Sequence, residues 1–258
     1  MFNLHIYLTA LLTMLAFGLA GWVVSVIKKN VTLVDSMWSL FFLLSAGVYA
    51  YFTPESPRTN MMLVIVTLWA LRLSIYLSWR NWHPHEDNRY ALIRKNNEPN
   101  FWLKSLYIIF GFQAVLAWVI SLPLLASIHS SSSINWLDYV GLTLWIFGFL
   151  FTAIADIQLS IFKSNPANKG KVLESGLWCY SRHPNYFGEC CVWWAYFIIA
   201  VAAGGYWSVI SPVLMTLLLL KVSGVALLES TITKRRPAYA AYIERTSAFI
   251  PMLPKRKT

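Results

Sequence analysis

The sequence predicts an all-α, polytopic membrane protein with seven transmembrane helices, and three observations carry that prediction. Hydrophobic side chains make up 57% of the 258 residues and charged ones only 12%, and the mean hydropathy of +0.54 lies above that of ordinary soluble domains. Seven apolar stretches approach or reach the length that crosses about 30 Å of hydrocarbon. The basic residues fall almost wholly in alternate connections, the distribution that orients membrane proteins.

The spans follow in order along the chain. The first, residues 4–27, has no basic leader and no small-residue cleavage site, so a retained helix is expected rather than a cleaved signal. The second, 33–52, carries Asp35 at its start; the third, 60–80, carries Arg72 in its inner part. The fourth covers 103–127, and the fifth, 137–157, closes on Asp156. The sixth, 187–203, is the shortest, begins beside Glu189 and stops at Gly204-Gly205. The seventh, 207–228, holds Lys221 and ends against Glu229. Thirteen tryptophans and thirteen tyrosines suit the interfaces of such a bundle, where amphipathic rings settle.

Of the 21 basic residues, 18 lie in the connections after spans one, three and five and in the C-terminal tail. The opposite side holds only Arg58, and Arg72 and Lys221 fall inside spans. The expected topology is N-terminus out and C-terminus in the cytoplasm, as one integral membrane domain over 1–258. The net charge of +10 is then mostly topology, and no nucleic-acid partner is expected. Cys179, Cys190 and Cys191 supply neither a disulfide framework nor a metal spacing.

Asp35, Arg72, Asp156, Glu189, Lys221 and Glu229 all map to the cytoplasmic half of the spans. Charges at helix centres cost about 2.5–3.5 kcal/mol each on insertion scales, so a set at one depth points to mutual pairing around a hydrated cavity. Ile65, Trp69, Arg72 and Tyr76 recur at helical spacing and form one stripe, which turns Arg72 inward between aromatic rings. The third connection contains Glu86–Tyr90, EDNRY, beside His83 and His85, which read as solvated surface. The fifth contains Ser164–Lys171, SNPANKGK, whose lysines and backbone amides suit phosphate, although neither GxGxxG nor GxxxxGK[ST] is present.

The densest polar cluster is Gly176–Glu189, GLWCYSRHPNYFGE, set directly against the apolar run from Cys190. With Trp193-Trp194, with Glu86–Tyr90 and with the tail Arg235–Lys255, it resembles the steroid 5-alpha-reductase-like membrane family, especially its bacterial branch. That resemblance spans most of the chain. It implies a reductase of the bacterial inner membrane that takes NADPH from the cytoplasm and reduces a carbon–carbon double bond conjugated to a ketone, in a lipophilic, steroid-like substrate among membrane lipids.

The cofactor-binding cytoplasmic half would come mainly from 156–258, with contacts from Asp156, Lys163, Lys171, Tyr180, Arg182, Asn185 and Glu189. His183 has two readings, a contact to cofactor phosphate or a cap at the helix entry. Lys163 and Lys171 stand where the steroid enzymes tend to have arginine, which keeps the charge and loses the bidentate fork. Asp35 matches the family's acidic catalytic position, and Trp69 falls where those enzymes have tyrosine. An indole N–H donates a hydrogen bond but is no general acid, so either carbonyl polarisation passes to another group, with Arg72 the nearest charge on that stripe, or the substrate class differs.

Membrane methyltransferases that use S-adenosylmethionine share an RHPxYxG signature before an apolar helix and form the alternative. They tend to carry paired glutamates after the next helix, where this chain has only Glu229. Tyr242 and Arg245 in the tail fit either a segment folded back over the cofactor or an interfacial amphipathic helix.

Overall fold

The computed structural model describes residues 2–82, 85–222, 229 and 237–255. The described residues are helical with no strand, and six helices among them are long and apolar enough to cross a membrane. These are α1 (Leu4–Lys28), α2 (Leu33–Tyr51), α3 (Pro57–Arg80), α5 (Phe101–Ile120), α7 (Trp136–Ser164) and α8 (Pro184–Ala202). Between them lie α4 (Asn88–Asn97) and α6 (Leu122–Ile128); α9 (Tyr206–Lys221) is a shorter apolar helix, and α10 (Tyr239–Arg245) lies in the tail. The last residues of the seventh expected span, 223–228, lie outside the described residues, as do His83, Lys234, Arg235, Arg236, Arg256 and Lys257.

The chain forms two compact units. The first, Met1–Ile134 with Ala200–Ser208, is built on the α2–α3 hairpin with α1, α5 and α6 packed around it. Its core holds Phe41, Phe42, Tyr49, Met62, Trp69 and Phe110, all under 2% exposed. α1 comes close to its neighbours at Gly21, where an added Cβ would meet Met37 from α2. Arg58, the single basic residue of the expected outer side, is wholly buried at the first turn of α3. Its guanidinium donates to the carbonyls of Ser132 and Ser133, at 2.7 Å each, so it closes the loop after α6.

The expected fourth span, 103–127, is two helices. α5 ends at Ile120 and α6 starts at Leu122, because Pro123 has no N–H to continue the helical ladder and sits in the first turn of a new helix. The Ser121 hydroxyl at the break is tied to Tyr49 Oη at 2.6 Å.

The second unit, Asn135–Ile199 with Val209–Thr258, is organised by α7 and α8. α7 runs 29 residues, about 43 Å, which exceeds the hydrocarbon thickness. Asp156 therefore lies two turns inside the helix and does not close it. Asn135 and Asp138 form a capping box at the start of α7. The buried face then runs through Gly141, Trp145, Gly148, Thr152 and Asp156. A Cβ on Gly148 would lie 2.7 Å from the Gly188 carbonyl oxygen and 2.8 Å from Cys191 Cβ, so glycine permits the close crossing of α7 and α8.

Candidate functional site

The close α7–α8 crossing positions the polar signature of the second unit. Thr152 donates to the Asn185 carbonyl at 3.2 Å, and Asn185 Nδ2 donates to Asp156 Oδ1 at 3.2 Å. Trp178 Nε1 donates to the Ala155 carbonyl, and Gln158 receives the Leu177 N–H, so the segment before α8 is fastened to α7 on successive turns.

Arg182 is 8% exposed and is satisfied by the chain itself. Its Nε and Nη2 form a bidentate fork on Glu229 at 2.7 and 3.0 Å, and Nη1 donates to the carbonyls of Ile243 and Thr246 at 3.0 and 2.6 Å. His183 Nε2 reaches the same Glu229 carboxylate at 3.0 Å, while its ring stacks on Tyr186. The tail then crosses the signature: Arg182 N–H donates to Ser247, Ser181 Oγ to Phe249, and Met252 N–H to Tyr180, all through backbone carbonyls. The Tyr242 hydroxyl donates to the Trp178 carbonyl, and Arg245 pairs with Glu174 at 2.8 Å. Burial and then the Glu229 charge push the Tyr239 phenol up to about 12, so it stays protonated.

The first unit has its own polar corner where α2 begins. Asp35 receives Arg89 Nη2 on one oxygen at 2.7 Å and the Tyr90 hydroxyl on the other at 2.6 Å, with Arg80 at 3.9 Å. Glu86 accepts the Val31 N–H and a fork from Arg94, and the Asp87 N–H donates to Thr32 Oγ1. The EDNRY segment is thus docked on the α1–α2 turn. Burial alone would push Glu86 up, but the Arg94 fork and the Val31 amide hold it below the usual carboxylate range. Asp87 is likewise held low by Arg89 against the effect of burial. Tyr90, 7% exposed, is pushed well above the usual phenol range by burial and by the Asp35 charge, and it keeps its proton; Gln113 of α5 also reaches it.

The structure joins Arg182 and His183 through Glu229, with Arg182 also on the tail, and joins Asn185 to Asp156 at the start of α8 in the second unit. Glu189 is buried just beyond, at 8% exposure. Tyr180, Lys163, Lys169 and Lys171 are exposed. In the first unit, Trp69 is 1% exposed and packs edge-on against Phe42. Arg72 and Tyr76 are half-buried on the stripe that the spacing predicts. Tyr90 is the residue that sequence reasoning left without a role, and Glu229 was placed among the paired charges without its partners. Both were visible as polar groups in EDNRY and at the end of span seven, but their partners are 55 and 47 residues away. Among the described residues no three His, Cys, Asp or Glu side chains gather in a way that could hold a metal.

The profile of a family described as protein of unknown function, DUF1295, matches residues 21–246. An uncharacterized protein of Schizosaccharomyces pombe is 23% identical over 285 aligned residues, which cover 98% of this chain and 81% of the yeast protein. No solved structure matches.

Proposed function

The chain belongs to the DUF1295 family, which is related to the steroid 5-alpha-reductase-like proteins, and on that premise we propose that it is a membrane-embedded, NADPH-dependent reductase. Its substrate in this reading is a lipophilic molecule with a carbon–carbon double bond conjugated to a ketone. The observation that supports it most is the division of labour in the second unit. Arg182, His183 and Glu229 satisfy one another and tie the signature to the tail, while Lys163 in the last turn of α7 and Lys169 and Lys171 after it are exposed. Exposed lysines suit the phosphates of a dinucleotide. S-adenosylmethionine carries a positive sulfonium and no phosphate, so the same lysines disfavour the methyltransferase alternative.

Lys163, Lys171, Tyr180 and Asn185 are the groups that would hold the cofactor, and NADPH supplies a hydride when bound. The chain's own task is to bear the negative charge that then reaches the ketone oxygen. Tyr90 is the group assigned to it. Within the first unit Asp35 accepts the Tyr90 hydroxyl, Arg89 lies over its ring and burial keeps the phenol protonated, so it is a fixed donor of the kind a ketone oxygen needs. This fills the gap left by tryptophan at position 69, and Asp35 becomes the acceptor that positions Tyr90 rather than a proton donor itself.

The test is NADPH oxidation by detergent-purified protein against a panel of lipophilic enones. Tyr90→Phe keeps the ring and removes the donor, so turnover falls about 10²-fold or more while NADPH affinity is unchanged. Unchanged turnover in Tyr90→Phe would remove Tyr90 from the chemistry, and no oxidation with any enone would remove the reductase reading.

A further inference from the structure

A cavity of about 360 Å³ opens in the first unit where the end of α1 meets the start of α5, lined by Ser25, Lys29, Arg94, Glu98, Phe101 and Trp102 among others. None of these residues belongs to the reductase reading, and the cavity stands or falls independently of it. Its walls are mostly apolar, and both bordering helices are candidate spans, so it lies at the level where a bilayer's headgroups begin.

The polar groups around it have a specific order. Arg94 spends Nε and Nη2 on Glu86 and on the Lys29 carbonyl, which leaves Nη1 without a partner among the described residues. Lys29 is exposed and its ammonium has no partner among the described residues. These are donors for an anion. Glu98, also exposed, is an acceptor close enough to act on the Arg94 charge. The hydroxyls of Ser25 and Ser105, both buried on the same lining, already donate to the Trp22 and Trp102 carbonyls at 2.7 and 2.8 Å, so their oxygens can only accept.

Because Glu86 neutralises Arg94, the lining carries about one positive and one negative charge, with donors and acceptors in separate places. That pattern matches a zwitterion better than a simple anion. We propose that this cavity binds the headgroup of a phospholipid bearing a primary ammonium, a phosphoethanolamine. Its phosphate lies on Lys29 and Arg94 Nη1, and its ammonium donates to Glu98 and the serine oxygens. The volume, at the small end of ligand sites, takes a headgroup and leaves the acyl chains outside. Val23, Val24, Ile27, Leu103 and Tyr107, all exposed, supply apolar surface for those chains on the two helices.

The experiment is native mass spectrometry and thermal melting of the delipidated full chain with phosphatidylethanolamine, phosphatidylcholine and phosphatidylglycerol of one acyl composition, and with soluble phosphoethanolamine. The ethanolamine lipid should bind tightest, since a quaternary choline has no N–H to donate and glycerol has no cation. Lys29→Asn keeps a residue that tolerates the left-handed turn at this position (φ 51°) and should weaken all three lipids about tenfold, the loss of one charge-assisted bond. Glu98→Gln should abolish the preference for ethanolamine and leave the glycerol lipid unaffected. Lipid-free melting temperatures of the variants equal to wild type show that the fold is intact. Equal binding of the three lipids by wild type, or soluble phosphoethanolamine binding as tightly as the lipid, overturns the proposal.

Discussion

Both compact units use an arginine from a connecting segment to seize a carboxylate, and the two corners are built to different depths. Arg89 on Asp35 is 40% exposed in its side chain, and its other partner, Asp87, is two residues away. Arg182 on Glu229 is 9% exposed and reaches residues 47 to 64 positions distant, including the part-buried Ile243 carbonyl and the buried Thr246 carbonyl. An exposed ion pair can be replaced by water at small cost, whereas a buried one leaves desolvated charge behind when it is broken. The first corner docks a loop; the second holds the signature and the tail together as one piece.

The largest effect that would sharpen this contrast is expected from Arg182→Ala. It strands Glu229 and the Ile243 and Thr246 carbonyls, and should cost about 3–5 kcal/mol in chemical denaturation and expose residues 237–255 to protease. Arg182→Lys should recover only part, because an ammonium cannot make the fork and serve both carbonyls. Arg89→Ala should cost only about 1 kcal/mol by the same denaturation measurement, since Tyr90 still donates to Asp35 and water replaces the guanidinium. A loss at Arg89 equal to that at Arg182 would break the comparison.

The smallest expected effect is a pH dependence in the first corner. The Glu86 carboxyl is depressed in the folded chain, so its contribution is fully present above the ordinary carboxylate range, about 4.3, and fades as pH falls through the lower folded value. Wild type should therefore melt above Glu86→Gln at neutral pH, and the gap should close under acid. A gap that widens below pH about 4 contradicts the depression.

Hydropathy made the helices legible, because spanning length and apolar composition are local properties of the chain. Positions of single breaks were less so. Pro123 was a readable signal for the α5–α6 break, yet the apolar run continues across it, and hydropathy averages over a window wider than one residue. The stripe Ile65, Trp69, Arg72, Tyr76 was legible from its spacing, whereas the Phe42 ring that packs on Trp69 was not. The polar site was legible as a list of residues and illegible as a set of pairs. Nothing local to Arg182 names Glu229, and nothing local to Asp35 names Tyr90, since each pairing depends on how distant helices pack. For the tail, sequence left two readings of Tyr242 and Arg245. The structure turns both back onto the signature's own segment, through the Trp178 carbonyl and Glu174.

In the reductase reading, the exposed lysines of the second unit bind the cofactor's phosphates beside the self-paired Arg182–Glu229 base, and cofactor binding depends on their charge. This is tested most directly by equilibrium binding of NADPH and of S-adenosylmethionine to the purified full chain at several salt concentrations, with Lys163→Glu and Lys171→Glu beside wild type. Saturable NADPH binding should weaken with salt and fall about tenfold or more in each variant, while the Arg182–Glu229 base keeps both variants folded. Saturable S-adenosylmethionine binding with none for NADPH, or NADPH affinity indifferent to both charge reversals, would contradict it.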